Sequence, residues 1–173
     1  MTKKWTLALF LALVAPLAAA NDSLVRFKGG IGVIPVSSAA GALNADGTSP
    51  NVNRNVVRGV NPPGQIWVIA DLRADVKMDG RIKVRGRGLL LGGGNGIGTN
   101  ANQSVRATLI CEAAALFTLR DTGLVPLEVN GDFRIDDVLT PAPADCASPV
   151  LLIRNPAGAW FAAGIVNRRS DDD

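Results

Sequence analysis

Histidine and tyrosine are missing altogether from this chain of 173 residues, and aromatic residues of every kind make up only 5% of it. The first absence excludes the most. Without an imidazole there is no Ser-His-Asp triad, no Cys-His dyad, no HExxH-type zinc site and no histidine pH switch, because each needs a group that titrates near neutrality or ligates a metal. Charged residues are sparse too, at 19%, and there are only two cysteines. Against these scarcities stand 47% hydrophobic residues, too many for a disordered chain, interrupted by 19 glycines and 10 prolines.

The first twenty residues read as an address label. Lys3 and Lys4 form a basic n-region, Trp5 to Ala15 an apolar h-region too short to span a bilayer, and Ala18-Ala19-Ala20 a small-residue cleavage site. Cleavage after Ala20 sends residues 21–173 to the periplasm or the exterior with no membrane span. Two of the 18 basic residues leave with the label, so the remainder nearly balances its 15 acids. In an oxidising compartment Cys111 and Cys146 are expected to pair, closing a loop worth about 4 kcal/mol on the chain-entropy model. Neither cysteine has the positive neighbour that a nucleophilic thiol wants.

No long window carries a helical stripe. Short apolar or alternating runs recur instead between Gly, Pro, Asn and Asp clusters, which is the pattern of many strands. The candidates are Leu24 to Val36, Val56 to Val60, Gln65 to Met78, Arg81 to Leu91, Ser104 to Cys111, Leu116 to Arg120, Leu124 to Val129, Asp132 to Leu139, Val150 to Arg154 and Ala159 to Ile165. A helical turn over Glu112 to Leu116 competes with this reading, because three alanines favour helix. The expected fold is all-β: a single antiparallel β-sandwich or partly open barrel of about 8–10 strands over residues 21–167, with one disulfide. Residues 168–173 form a flexible polar tail with nothing to bury.

The pleat phase around Met78-Asp79-Gly80 decides how the longest hairpin sorts its side chains. A two-residue Asp-Gly turn would set Val76 opposite Lys83 and mix apolar with charged residues on both faces. A three-residue loop with Gly80 left-handed instead pairs Lys77 with Arg81. Val76 then meets Ile82 and Ala74 meets Val84 inside, while Asp75 meets Lys83 and Asp71 meets Arg87 outside. Trp67 falls on the charged face nearer the base. Unbroken arms would each be about 45 Å long, so a bend is expected at Gly86 or Gly88. A second hairpin is expected at Asn130-Gly131, and Trp160 and Phe161 are expected to plug the core.

Arg81, Lys83, Arg85 and Arg87 recur at period two, with Lys77 and Arg73 beside them, so one strand face presents a stripe of cations. Such a stripe suits a polyanion. The competing reading is a solvated face neutralised by Asp71 and Asp75. The loop from Gly92 to Asn102 suggests a phosphate cradle, but the next segment alternates like a strand, whereas a phosphate loop opens a helix. Nucleotide binding is therefore not expected. The loop's Asn95, Thr99, Asn100 and Asn102 are candidates for a glycan or protein contact.

Carboxylates are the remaining acid-base machinery. Asp132 and Asp136 on one strand would lie about 13 Å apart, too wide for the 5 to 9.5 Å of glycoside hydrolysis, and no calcium-loop spacing surrounds Asp136 and Asp137. No cofactor, metal or catalytic residue is expected. The sequence reads as a binding or interaction module rather than an enzyme, with polyanion binding and a carboxylate-dependent hydrolase as alternatives.

Overall fold

In the computed structural model, which describes residues 23–38 and 41–167, the turn at Met78-Asp79-Gly80 takes the three-residue form. Gly80 sits at φ +87°, its amide bonded to the Lys77 carbonyl at 3.0 Å, and the Asp79 carboxylate accepts the Arg81 amide at 3.1 Å. The hairpin register follows as the alternation requires: Val76 faces Ile82, Ala74 faces Val84, Asp75 faces Lys83 and Asp71 faces Arg87. The predicted leader, residues 1–20, and the predicted tail, residues 168–173, lie outside the described residues.

Thirteen strands occur among the described residues: β1 (Ser23–Gly32), β2 (Val36–Ser38), β3 (Val52–Arg54), β4 (Trp67–Val68), β5 (Asp71–Lys77), β6 (Arg81–Arg87), β7 (Leu90–Leu91), β8 (Ser104–Ile110), β9 (Arg120–Asp121), β10 (Val125–Pro126), β11 (Phe133–Val138), β12 (Val150–Arg154) and β13 (Trp160–Val166). Nine of them form one antiparallel sheet in the order β10-β8-β12-β13-β1-β5-β6-β11, with β9 also on β8. This sheet curls into a half-barrel, so the partly open barrel is the form the fold takes. Leu72, Val76, Ile82, Leu109, Leu151, Leu152 and Ile153 are all fully buried, β12 being covered on both faces, and Trp160 and Phe161 belong to the same buried core as expected. Cys111 and Cys146 are joined as a disulfide. Among the described residues no helix is long and apolar enough to cross a membrane.

The edges of the half-barrel, β10 and β11, come close without zipping. Glu128 donates to the Asp132 carbonyl at 2.9 Å at one end of the seam, and Asp121 and Thr140 exchange two 3.0 Å bonds at the other. In the register set by Glu128 and Asp132 the next bonded pair would be Pro126 with Arg134. Pro126 has no N–H, and no backbone bond forms there among the described residues. The Asn130-Gly131 turn forms, with Gly131 at φ +80°, but its arms diverge at once, β10 to β8 and β11 to β6. The expected second hairpin is thus one turn deep.

Both arms of the long hairpin break where Gly88 adopts φ +63°, separating the β4–β7 ribbon from β5 and β6 without changing register. Gly86 does not bend: the Phe133 ring lies over it. Freed by that break, the ribbon folds inward, and Trp67 is buried in a parallel stack on Phe161 with centroids 4.0 Å apart, not on the charged face. Val56 to Val60 is a tight turn, because Arg58 and Gly59 both have positive φ and Val57 and Val60 bond to each other. Leu116 to Arg120 is a loop that becomes strand only at Arg120, and Glu112 to Leu116 bends without a helical turn. Here the Glu112 carboxylate gathers the amides of Cys111 and Thr118. Strand β10 keeps two residues of the predicted Leu124 to Val129, and β3 was not anticipated.

Candidate functional site

Because β1, β5, β6 and β11 are adjacent, their outward side chains form rows that run across the strands. One row reads Arg26, Asp75, Lys83, Asp136, alternating in sign. Its members bond to one another: Arg26 to Asp75 at 3.6 Å and Lys83 to Asp136 at 3.1 Å, while Lys77 reaches Asp75 at 2.8 Å. Partial burial pushes the Asp75 pKa up, but hydrogen bonds from Lys77 and Ser23 and the charges of Lys77 and Arg26 outweigh it, and the net shift is downward. Arg81 is likewise bonded to Asp79 at 2.7 Å. Of the predicted cation stripe, Lys77, Arg81 and Lys83 are therefore already matched with acids.

The next row, about 7 Å along the strands, breaks the alternation. Lys28 stands opposite Arg73, Arg73 opposite Arg85, and Arg85 opposite Arg134. All four are exposed cations, and directly opposed like charges destabilise a sheet. Among the described residues Lys28, Arg85 and Arg134 make no ion pair, and Arg73 makes an exposed one with Asp71 at 3.3 Å. Arg87 adjoins the row, opposite Asp71 in register but not ion-paired with it. Elsewhere the fold treats the same situation differently. Arg106 and Arg154 are also opposed, on β8 and β12, and there Asp121 lies 3.2 Å from Arg154 and 3.8 Å from Arg106.

A hollow of about 380 Å³ lies beside the row, bordered by Arg73, Arg85, Arg87 and Arg134 and by Asp71, Glu128 and Asp132. A shallower one of about 200 Å³ lies on the other side, and Arg73 and Arg85 border both. Asp132 accepts the Gly88 amide at 3.0 Å. Among the described residues Asp46, Asp75, Asp79 and Glu112 have lowered pKa values, and all lie outside the larger hollow.

No protein-family model, curated protein or solved structure matches this chain. Guanidinium groups in a row, each with a planar fork of donors, are suited to carboxylate, sulfate or phosphate groups.

The Gly92 to Asn102 loop is held by bonds within itself and to its neighbours. Leu91 and Thr99 pair at 2.9 Å, Thr99 Oγ1 donates to the Gly96 carbonyl, and the Asn100 amide reaches the Leu127 and Glu128 carbonyls at 3.2 and 3.0 Å. Thr99 and Asn100 thus position backbone, Asn100 next to the Glu128 rim of the hollow, while Asn95 and Asn102 are exposed. Strand β8 follows, with no helix to face an anion. Asp137 accepts the Gly123 amide at 2.7 Å and Asp136 bonds Lys83, and no group of three or more metal-ligating side chains occurs among the described residues.

The sequence alone adds neither Lys28 nor Arg134 to the cation stripe. Neither strand is adjacent in sequence to the hairpin, so only the sheet order could add their charges to it. The local signal was the charge parity of β11, where Arg134 falls between Asp132 and Asp136.

Proposed function

We propose that this protein is an exported binding module, not an enzyme, that holds an anionic polymer against the outer face of its half-barrel. A glycan bearing carboxylates or sulfates suits it best. The observation that carries this reading is the run Lys28, Arg73, Arg85 and Arg134, directly opposed, in which only Arg73 is ion-paired, through an exposed contact with Asp71. A multivalent anion lying along it would relieve the repulsion and gain charge-assisted bonds at each step. Export fits the basic-apolar-small leader pattern and the disulfide.

Retention on heparin, followed as salt is raised, tests the reading with two variants of equal charge. One replaces Arg73, Arg85 and Arg134 by Gln. The other replaces Lys77, Arg81 and Lys83 by Gln. Loss of three contacts should flatten the log–log salt dependence by about 2 for the first variant, with little change for the second. Equal shifts in both would mean that net charge alone is sensed, and the proposal would fall. A hydrolase reading has one observation in its favour, the convergence of Asp71, Glu128 and Asp132 on the hollow. It requires shortening of a bound polymer that Glu128→Gln abolishes; unchanged polymer length supports the binding module.

A further inference from the structure

Resting on that anion-binding reading, we infer that the polymer lies in single file across β1, β5, β6 and β11, and that the site is built for a linear polyuronate. The cation row is one residue wide. On one side the adjacent row places Asp75 and Asp136 among Arg26 and Lys83, so its charges cancel; on the other Asp71 and, at the hollow's rim, Asp132 flank Arg87. A narrow chain running perpendicular to the strands meets only cations. A duplex nucleic acid or an anionic membrane presents charge in two dimensions, and its outlying phosphates would fall on these acids.

Spacing points the same way. Neighbouring strands are about 4.8 Å apart, so the four cations recur on that interval over about 14 Å. A chain of 1,4-linked uronic acids offers one carboxylate per ring on a similar repeat, whereas polyphosphate packs its charge more densely. The face also lacks a platform for bases, since Trp67 is buried against Phe161. The two hollows flanking Arg73 and Arg85 leave room for ring edges on either side of the charge line.

Calorimetric titration of the full exported chain with oligogalacturonates of increasing length, a short DNA duplex, polyphosphate and phosphatidylglycerol vesicles tests this. Affinity should climb through four rings, about threefold for each added charge, and then level off. The duplex, polyphosphate and vesicles should bind more weakly than the four-ring oligomer at the same salt. Replacing Asp136, which pairs with Lys83 outside the row, by Asn should raise duplex and vesicle affinity about threefold and leave the oligouronate nearly unchanged. Affinity independent of oligomer length, or duplex, polyphosphate or vesicle binding as tight as that of four rings, would overturn the single-file inference while leaving anion binding standing. No binding of any of these at low salt would overturn the anion-binding reading itself.

Discussion

Arg85 and Arg134 stand directly opposite each other on neighbouring strands, both exposed and neither bonded to an acid. Such a pair costs stability in the empty protein, by an amount on the order of 0.2 to 1 kcal/mol. Arg134→Glu should therefore raise the urea midpoint at low ionic strength while weakening retention on heparin. The stability gain should shrink as salt is added, because exposed charges are screened. A lower midpoint at every salt concentration would show that Arg134 is there to stabilise the sheet.

Gly86 and Phe133 form a second directly opposed pair, and this one holds the cation row in place from below. A Cβ on Gly86 would come within 2.2 Å of two atoms of the buried Phe133 ring. Gly86→Ala should cost about 1 to 3 kcal/mol by overpacking, measured by urea unfolding. Phe133→Leu added to it should recover part of the loss, whereas purely additive costs would mean that the ring is not the obstacle.

Glu112 ties off the loop that begins at the disulfide. The Arg120 guanidinium, bonded at 2.9 Å, outweighs desolvation and, with the backbone amides of Glu112 and Thr118, pulls its pKa from an ordinary 4.5 down to about 2. A carboxylate with a depressed folded pKa stabilises fully above its unfolded value and loses that contribution as pH falls through the folded one. The stability difference between wild type and Glu112→Gln should thus be constant above about pH 5 and shrink toward pH 2. A difference that does not change with pH would remove the ionised pairing as its source.

The open seam has a signature in amide exchange. Leu139 donates to the Gly80 carbonyl, so alternation turns the amides of Asp137, Ile135 and Phe133 toward β6 and those of Arg134 and Asp136 toward the gap left by Pro126. Arg134 and Asp136 should exchange orders of magnitude faster than Ile135 and Asp137. Uniform protection along β11 would mean that the barrel closes in solution.

Local parity was legible in the sequence to a surprising depth. Apolar and charged residues sorted onto opposite faces in only one phase around Gly80, and that phase carried the register from Val76 opposite Ile82 out to Trp67 opposite Leu91. The pairing of β1 with β5 and of β11 with β6 was not legible, because strand order is a property of the closed sheet and no local pattern encodes it. This is why Lys28 and Arg134 escaped notice while Arg85 did not. Trp67 was misplaced for a related reason: parity assigned its face correctly only as long as the arm stayed straight, and Gly88 ended that.

The most direct test of the cation row is an NMR titration that follows the arginine Nε–Hε resonances as an oligouronate is added. Arg73, Arg85 and Arg134 should move together and saturate at one concentration, while Arg81, held by Asp79, stays in place. Equal movement of Arg81, or no movement of Arg85 and Arg134, would contradict the assignment of this face as the binding surface.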